Sequence, residues 1–163
     1  MPRIRVIPVL LIKNGRLVKT IRFKNEKYVG DPINAVKIFN EKGVDEIVIL
    51  DITATIEKRK PDIKMISDIA SECFMPLCYG GGITHIDEIK EIFYTGVEKV
   101  SINTNAIYNK DLIFQAARLF GSQSIVVSID AKKNIFGKYH VFADRGRIDT
   151  KIDPAKFAVD MES

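Results

Sequence analysis

The sequence has no tryptophan, two cysteines and two histidines, and no apolar run near the ~20 residues that a membrane span needs. Cys73 and Cys78 have no further Cys or His pair nearby, which excludes a zinc site and a disulfide framework. They read as small buried apolar residues of a reducing compartment. His85 and His140 lack partners at metal-ligand spacing and fit no Ser-His-Asp or Cys-His arrangement. His85 reads as a helix-start residue and His140 as a hairpin surface residue. No cofactor pattern is present, and no metal is expected. Met1-Pro-Arg-Ile-Arg5 followed by an apolar strand is not a signal peptide, so the cytoplasm is the expected location. The basic excess is small: 25 Lys and Arg against 21 Asp and Glu, a net charge of +4. The basic residues are scattered, which argues against nucleic acid. A mild positive balance suits either an anionic, phosphorylated substrate or a solvated surface.

What the chain does have is a core. Its 163 residues are 46% hydrophobic and 28% charged, and a domain of that size buries roughly 70% of its unfolded surface. No linker or low-complexity stretch divides it, so 1–163 reads as one domain. Short apolar runs at 4–12, 46–51, 76–80, 98–103 and 124–130 predict strands buried on both faces of a parallel sheet. Between them lie helices with readable ends. Asp31-Pro32 opens the first and Gly43 closes it. The second starts near Pro61-Asp62. The third starts at Thr84, with Asp87 three residues on as in a capping box, and ends at Gly96. The fourth runs from about Asn109 to Gly121, and a fifth opens at Asp153-Pro154. Residues 134–149 read as an inserted hairpin. Alternation of this kind predicts a parallel α/β fold. Length favours an open doubly wound sheet over a (β/α)8 barrel, which normally takes ~250 residues.

In either architecture ligands bind at the carboxyl ends of the strands. Asp51 and Asp130 each follow an apolar run, and a carboxylate at a dry rim has a tunable pKa suited to proton transfer. A turn-capping Asp would look the same. Gly80-Gly81-Gly82 precedes a helix, where glycine amides can cradle a phosphate; its spacing is neither that of a dinucleotide site nor that of a P-loop, and a triplet also serves a tight turn. Asn103 and Thr104 add side-chain donors at the neighbouring strand end. At the opposite ends of the strands stand Arg5, Glu46 and Lys99, which could pair across the floor or simply be solvated. The first strand ends in Leu10, Leu11 and Ile12, with no acid where many α/β enzymes carry one.

Taken in order, "LVKT", "GDPINAVKIFNEKGVDEIVILDITAT", "EKRK", "GGGI", "VEKVSINTNA", "FGSQSIVVSIDAK" and "DRGR" resemble the cyclase subunit of imidazole glycerol phosphate synthase, from about residue 5 to 163. The resemblance implies a (β/α)8 barrel in place of the open sheet, with strands one to five and the start of helix five present and strands six to eight missing. It implies a cyclase-type lyase of histidine biosynthesis. A glutaminase partner docks at the amino-end floor, and ammonia crosses the barrel to a phosphorylated substrate. Asp130 matches one of two catalytic aspartates; Leu11 occupies the place of the other. Gly82, with Gly81 beside it, Asn103 and Thr104 match a phosphate site, Lys19 and Asp51 match substrate-side positions, and Arg5, Glu46 and Lys99 match gate charges around the ammonia entrance. "VIPVLLIK" and "RFKNEKYVGDPINAV" look more like the paralogue found with surface-polysaccharide genes, where ammonia goes to amidation of a nucleotide sugar. The alternatives are a true cyclase, a non-catalytic module that binds a glutaminase, and an inactive fragment. Strands one and five are expected to be open edges, a liability for self-association.

Overall fold

The computed structural model describes residues 4–21 and 24–162; Met1–Arg3 of the opening segment and the final Ser163 lie outside them. Along the chain run β1 (Val9–Lys13), β2 (Arg16–Ile21), β3 (Lys24–Gly30), α1 (Pro32–Lys42), β4 (Ile47–Asp51), α2 (Ile63–Ala70), β5 (Leu77–Gly80), α3 (Ile86–Tyr94) and β6 (Lys99–Ile102). Then come α4 (Thr104–Tyr108), α5 (Lys110–Phe120), β7 (Ile125–Val127), β8 (Asp130–Lys133), β9 (Tyr139–Ala143), β10 (Ile148–Asp149) and α6 (Pro154–Glu162). Among the described residues one sheet runs β3-β2-β1-β4-β5-β6-β7, and β8, β9 and β10 form a second. Strands β1, β4, β5, β6 and β7 are mutually parallel. The result is an α/β fold with a mostly parallel central sheet and flanking helices, consistent with an incomplete (β/α)8 barrel.

Helix ends follow the sequence signals closely. The Asp31 carboxylate accepts from the Asn34 amide at the start of α1, and Gly43 closes that helix with φ 63°. Asp62 accepts from the Met65 amide and Asn109 from the Leu112 amide. Each such cap satisfies an amide that the first helical turn leaves without a partner. The third helix differs from expectation. It begins at Ile86, and the carboxylate that reaches back to its entry belongs to Glu88 rather than Asp87, accepting from the Thr84 and His85 amides at 2.7 and 3.1 Å.

Strand register sorts the side chains by face. Ile12, Ile47, Ile49, Tyr79, Val100 and Ile102 are buried under helical residues such as Val36, Ile66, Ile69, Ile89, Ile92 and Ile113. Phe93 of α3 meets Phe120 of α5 edge-on, with ring centroids 5.1 Å apart. Full burial of each such side chain contributes about 1.5–3 kcal/mol. The opposite face carries Leu11, Leu50, Gly80, Ser101 and Val126 in one layer and Val9, Val48, Cys78 and Lys99 in another.

Several sequence expectations need correction. The first strand is shorter than 4–12, because Pro8 has no N–H to give the ladder; before it, Val6 and Asp45 exchange two hydrogen bonds. Strand 124–130 stops at Val127, and Asp130 opens β8, held by pairing with Phe142 of β9. Segment 134–149 contributes to a three-stranded meander, not a two-stranded hairpin. His140 sits in this small sheet with its side chain 18% exposed, and its Nδ1 lies 2.9 Å from Asp149 Oδ1. Strand β1 is not an open edge along Leu11–Lys13, which pair with Arg16–Val18 of β2. Asn14 and Gly15, both at positive φ, form the two-residue turn whose twist matches paired strands.

Candidate functional site

A cavity of about 180 Å³ opens at the carboxyl ends of the parallel strands. Its wall brings Leu11, Asp51, Gly81, Gly82, Asn103, Thr104 and Asp130 together. Lys19 is not among them; it is exposed on β2, while its neighbour Thr20 contributes to the wall. Residues that sequence reasoning left out are Thr55 in the loop after β4 and Asp144 and Arg145 in the turn after β9. The "DRGR" run was the available signal for the last two, since Asp and Gly mark a turn that a flanking strand delivers to the rim.

Asp51 is held tightly. Its Oδ1 accepts from the Thr53 amide, the Thr53 hydroxyl and the Ala54 amide at 2.9, 3.0 and 3.1 Å, and Arg59 Nη2 lies 3.2 Å from Oδ2. Arg59 also donates to the Thr53 hydroxyl and to Glu57. This carboxylate therefore closes the turn after β4 and presents the Thr53–Arg59 loop to the cavity. Gly81 packs on that turn with φ 120°, and a side chain there would collide with the Asp51 backbone carbonyl. Gly82, with φ 72°, has the Arg59 carbonyl only 2.6 Å from where a Cβ would stand.

The glycine triplet is consequently a close-packing device first. Its role as a cradle of spare amides is only partly available: the Gly82 amide donates to the Thr55 hydroxyl at 3.3 Å, and the amides entering α3 go to Glu88. Donors do remain at the next strand end. Asn103 gives its Nδ2 to the Ser128 carbonyl at 2.9 Å and so fixes the entry to α4, whose first amides have no intrahelical acceptor.

Asp130 stands at the opening of β8, half-buried, and burial pushes its carboxyl above the ordinary carboxylate range. That shift favours a protonated, hydrogen-donating acid closer to neutrality. Leu11 faces the same space with an aliphatic side chain, so Asp130 has no carboxylate partner from β1.

At the amino ends of the strands the three expected charges meet. Lys99 Nζ lies 2.6 Å from Glu46 Oε2, and Arg5 Nη1 lies 3.6 Å from the same oxygen. Glu46 is buried while Arg5 is 59% exposed. Cys78 stands in register with Lys99 beside this cluster; burial, reinforced by the Glu46 charge, raises its thiol to about 12.

Residues 5–163 match the family described as histidine biosynthesis protein. The chain belongs to that family. It is 52% identical over 162 residues to a Pseudomonas aeruginosa protein provisionally named imidazole glycerol phosphate synthase subunit hisF2, covering 99% of this chain and 64% of that one. It is 48% identical over 164 residues to the Vibrio vulnificus protein named, also provisionally, subunit hisF3, covering 100% and 63%. A Leptospira interrogans protein provisionally named subunit HisF is 48% identical over 151 residues, covering 92% and 59%. The chain thus spans about three fifths of the length of these relatives. No helix among the described residues is long and apolar enough to cross a membrane.

Proposed function

We propose that this chain works as the cyclase-like subunit of a glutamine amidotransferase, in the branch that hands ammonia to amidation of a surface-polysaccharide nucleotide sugar. The observation that carries this reading is that Leu11 and Asp130 line one cavity. In the family resemblance both positions hold aspartates acting as acid and base. With one of them aliphatic, the ring-closing reaction of histidine biosynthesis loses a proton carrier, at a typical cost of 10²- to 10⁴-fold.

The remaining features fit delivery of ammonia to a phosphorylated ligand. A partner glutaminase would dock at the amino-end floor, where Arg5, Glu46 and Lys99 form the gate. Ammonia would pass along the face bearing Val48 and Cys78 to the carboxyl-end cavity. There Gly81, Gly82, Asn103 and Thr104 would hold a phosphate, with Lys19 on the hairpin and Asp51 on the substrate side. Asp130, whose burial favours the protonated form, would donate a hydrogen bond or a proton to the bound ligand.

The test uses the full-length protein with ammonium salt and the bisphosphorylated ribonucleotide substrate of the cyclase. The wild type should be silent or at least 10²-fold slow, and Leu11→Asp should restore turnover by that factor. Wild-type turnover at a rate ordinary for the family would return the protein to histidine biosynthesis. Mixing with its glutaminase should stimulate glutamine hydrolysis; no binding and no stimulation would remove the subunit reading altogether.

A further inference from the structure

The β2–β3 hairpin and the small second sheet meet above the cavity through one carboxylate. Glu26 of β3 accepts from Arg145 Nη2 at 3.2 Å through Oε1, and its Oε2 bonds Lys13 Nζ at the end of β1. Arg145 is only 19% exposed, and it belongs to the cavity wall. The turn that carries it, residues 144–146, has all three φ values positive. That turn, at the end of β9, places Arg145 in the same cavity wall as Thr20, Asn103 and Asp130.

A guanidinium in the wall of a ligand cavity is a fork of donors shaped for an oxyanion. Here a side-chain carboxylate from a different strand already occupies part of that fork. The Lys13 and Arg145 bonds hold the Glu26 carboxyl below its usual range, so Glu26 is ionised throughout neutral pH and presents the same kind of charge that a ligand would.

The geometry points to Arg145 as a second oxyanion-binding residue of the cavity that Asn103 and Thr104 also line, with Glu26 as a built-in competitor that an incoming phosphate group displaces. The ligand class is a molecule with two anionic groups, at least one a phosphate, and its arrival would break the tie between hairpin and small sheet. The inference rests on reading this cavity as a ligand site and is independent of which reaction runs there.

Removing the competitor should strengthen anion binding, whereas removing a mere structural clip would weaken it or leave it unchanged. The full chain is titrated with inorganic phosphate, following the Arg145 Nε–H resonance by NMR, with Glu26→Gln, Arg145→Gln and Thr104→Val variants alongside and circular dichroism verifying folding. Glu26→Gln should bind phosphate about tenfold more tightly, with Arg145 Nε–H shifting on titration. Arg145→Gln should lose that gain when combined with Glu26→Gln. A Glu26→Gln protein that binds no better than wild type, or an unmoved Arg145 resonance, overturns the proposal. Loss of binding in Thr104→Val alone, with no response to Glu26→Gln, keeps the phosphate site at Asn103 and Thr104 and rejects Arg145. The reverse pattern keeps Arg145 and rejects that site. A parallel titration with malonate shows whether a carboxylate is accepted equally, which supports a general oxyanion site, or refused, which supports phosphate.

Discussion

At the scale of single residues, the two aspartates that look alike in the sequence do different work. Both follow apolar runs, but Asp51 spends its carboxylate on two amides, a hydroxyl and Arg59, whereas Asp130 is half-buried with burial as the cause of its raised pKa. The pattern of residues could not separate the roles, because the donors around Asp51 come from the turn that follows it and from Arg59, eight positions on. A carboxyl with a raised folded pKa is bound to its proton more firmly in the folded state than in the unfolded one. Its charged form therefore costs stability once the pH passes the ordinary value, and the cost grows until the folded pKa is exceeded. Asp130→Asn should accordingly gain in stability relative to wild type between pH 4 and pH 7.5, read as a rising difference in urea midpoints. Equal midpoint differences at the two pH values would mean that Asp130 carries its charge without penalty.

At the scale of elements, the helices and the parallel strands were legible because their signals are local: Asp31-Pro32, Asp62, Asn109 and the closing glycines lie where the caps are. What escaped was the hairpin β2–β3. Asn14-Gly15 between two extended runs is the strongest short-range signal for a hairpin and joins β1 to β2, which sets β2 on the sheet for β3 to pair with. The two strands of the β2–β3 hairpin, RLVKTI and KNEKYVG, carry charges that break up any apolar run. The glycine triplet was legible as a feature but not in its purpose. Both a phosphate cradle and a tight turn were in view, but the packing was not, because the approach of the Asp51 carbonyl depends on a loop some thirty residues earlier in the chain. Gly81→Ala therefore meets both an unfavourable backbone angle and a backbone collision, and should lower stability by about 2–3 kcal/mol in chemical denaturation. Gly96→Ala is the useful comparison, since a Cβ there meets nothing within 4 Å although its φ of 98° is also positive. A Gly81 variant no worse than Gly96→Ala would show that the loop moves aside.

At the scale of the whole molecule, the two faces of the parallel sheet are unequally covered. The helix face is dry, with Ile47, Ile89 and Val100 fully buried, but on the other face Val9 remains 55% exposed and Val126 38% exposed. The resemblance implied open edges at the first and fifth parallel strands. The hairpin covers the first from Leu11 onward, leaving Val9 and Leu10 beside it without a β2 partner, and β7 has β6 as its one neighbour among the described residues. Such a strand presents unpaired N–H and C=O groups next to apolar side chains, which is the pattern that recruits another copy. The floor charges do not counter this, because Glu46, Lys99 and Arg5 largely neutralise one another at the amino end. The 163-residue chain should therefore associate in a concentration-dependent way, visible by sedimentation velocity. Val126→Lys on β7 should shift the population toward monomer, since a lysine on an edge strand disfavours pairing with a like-charged copy. A single monomeric species of unchanged sedimentation across a hundredfold range of concentration would show that the exposed face and the β7 edge are too short or too twisted to pair.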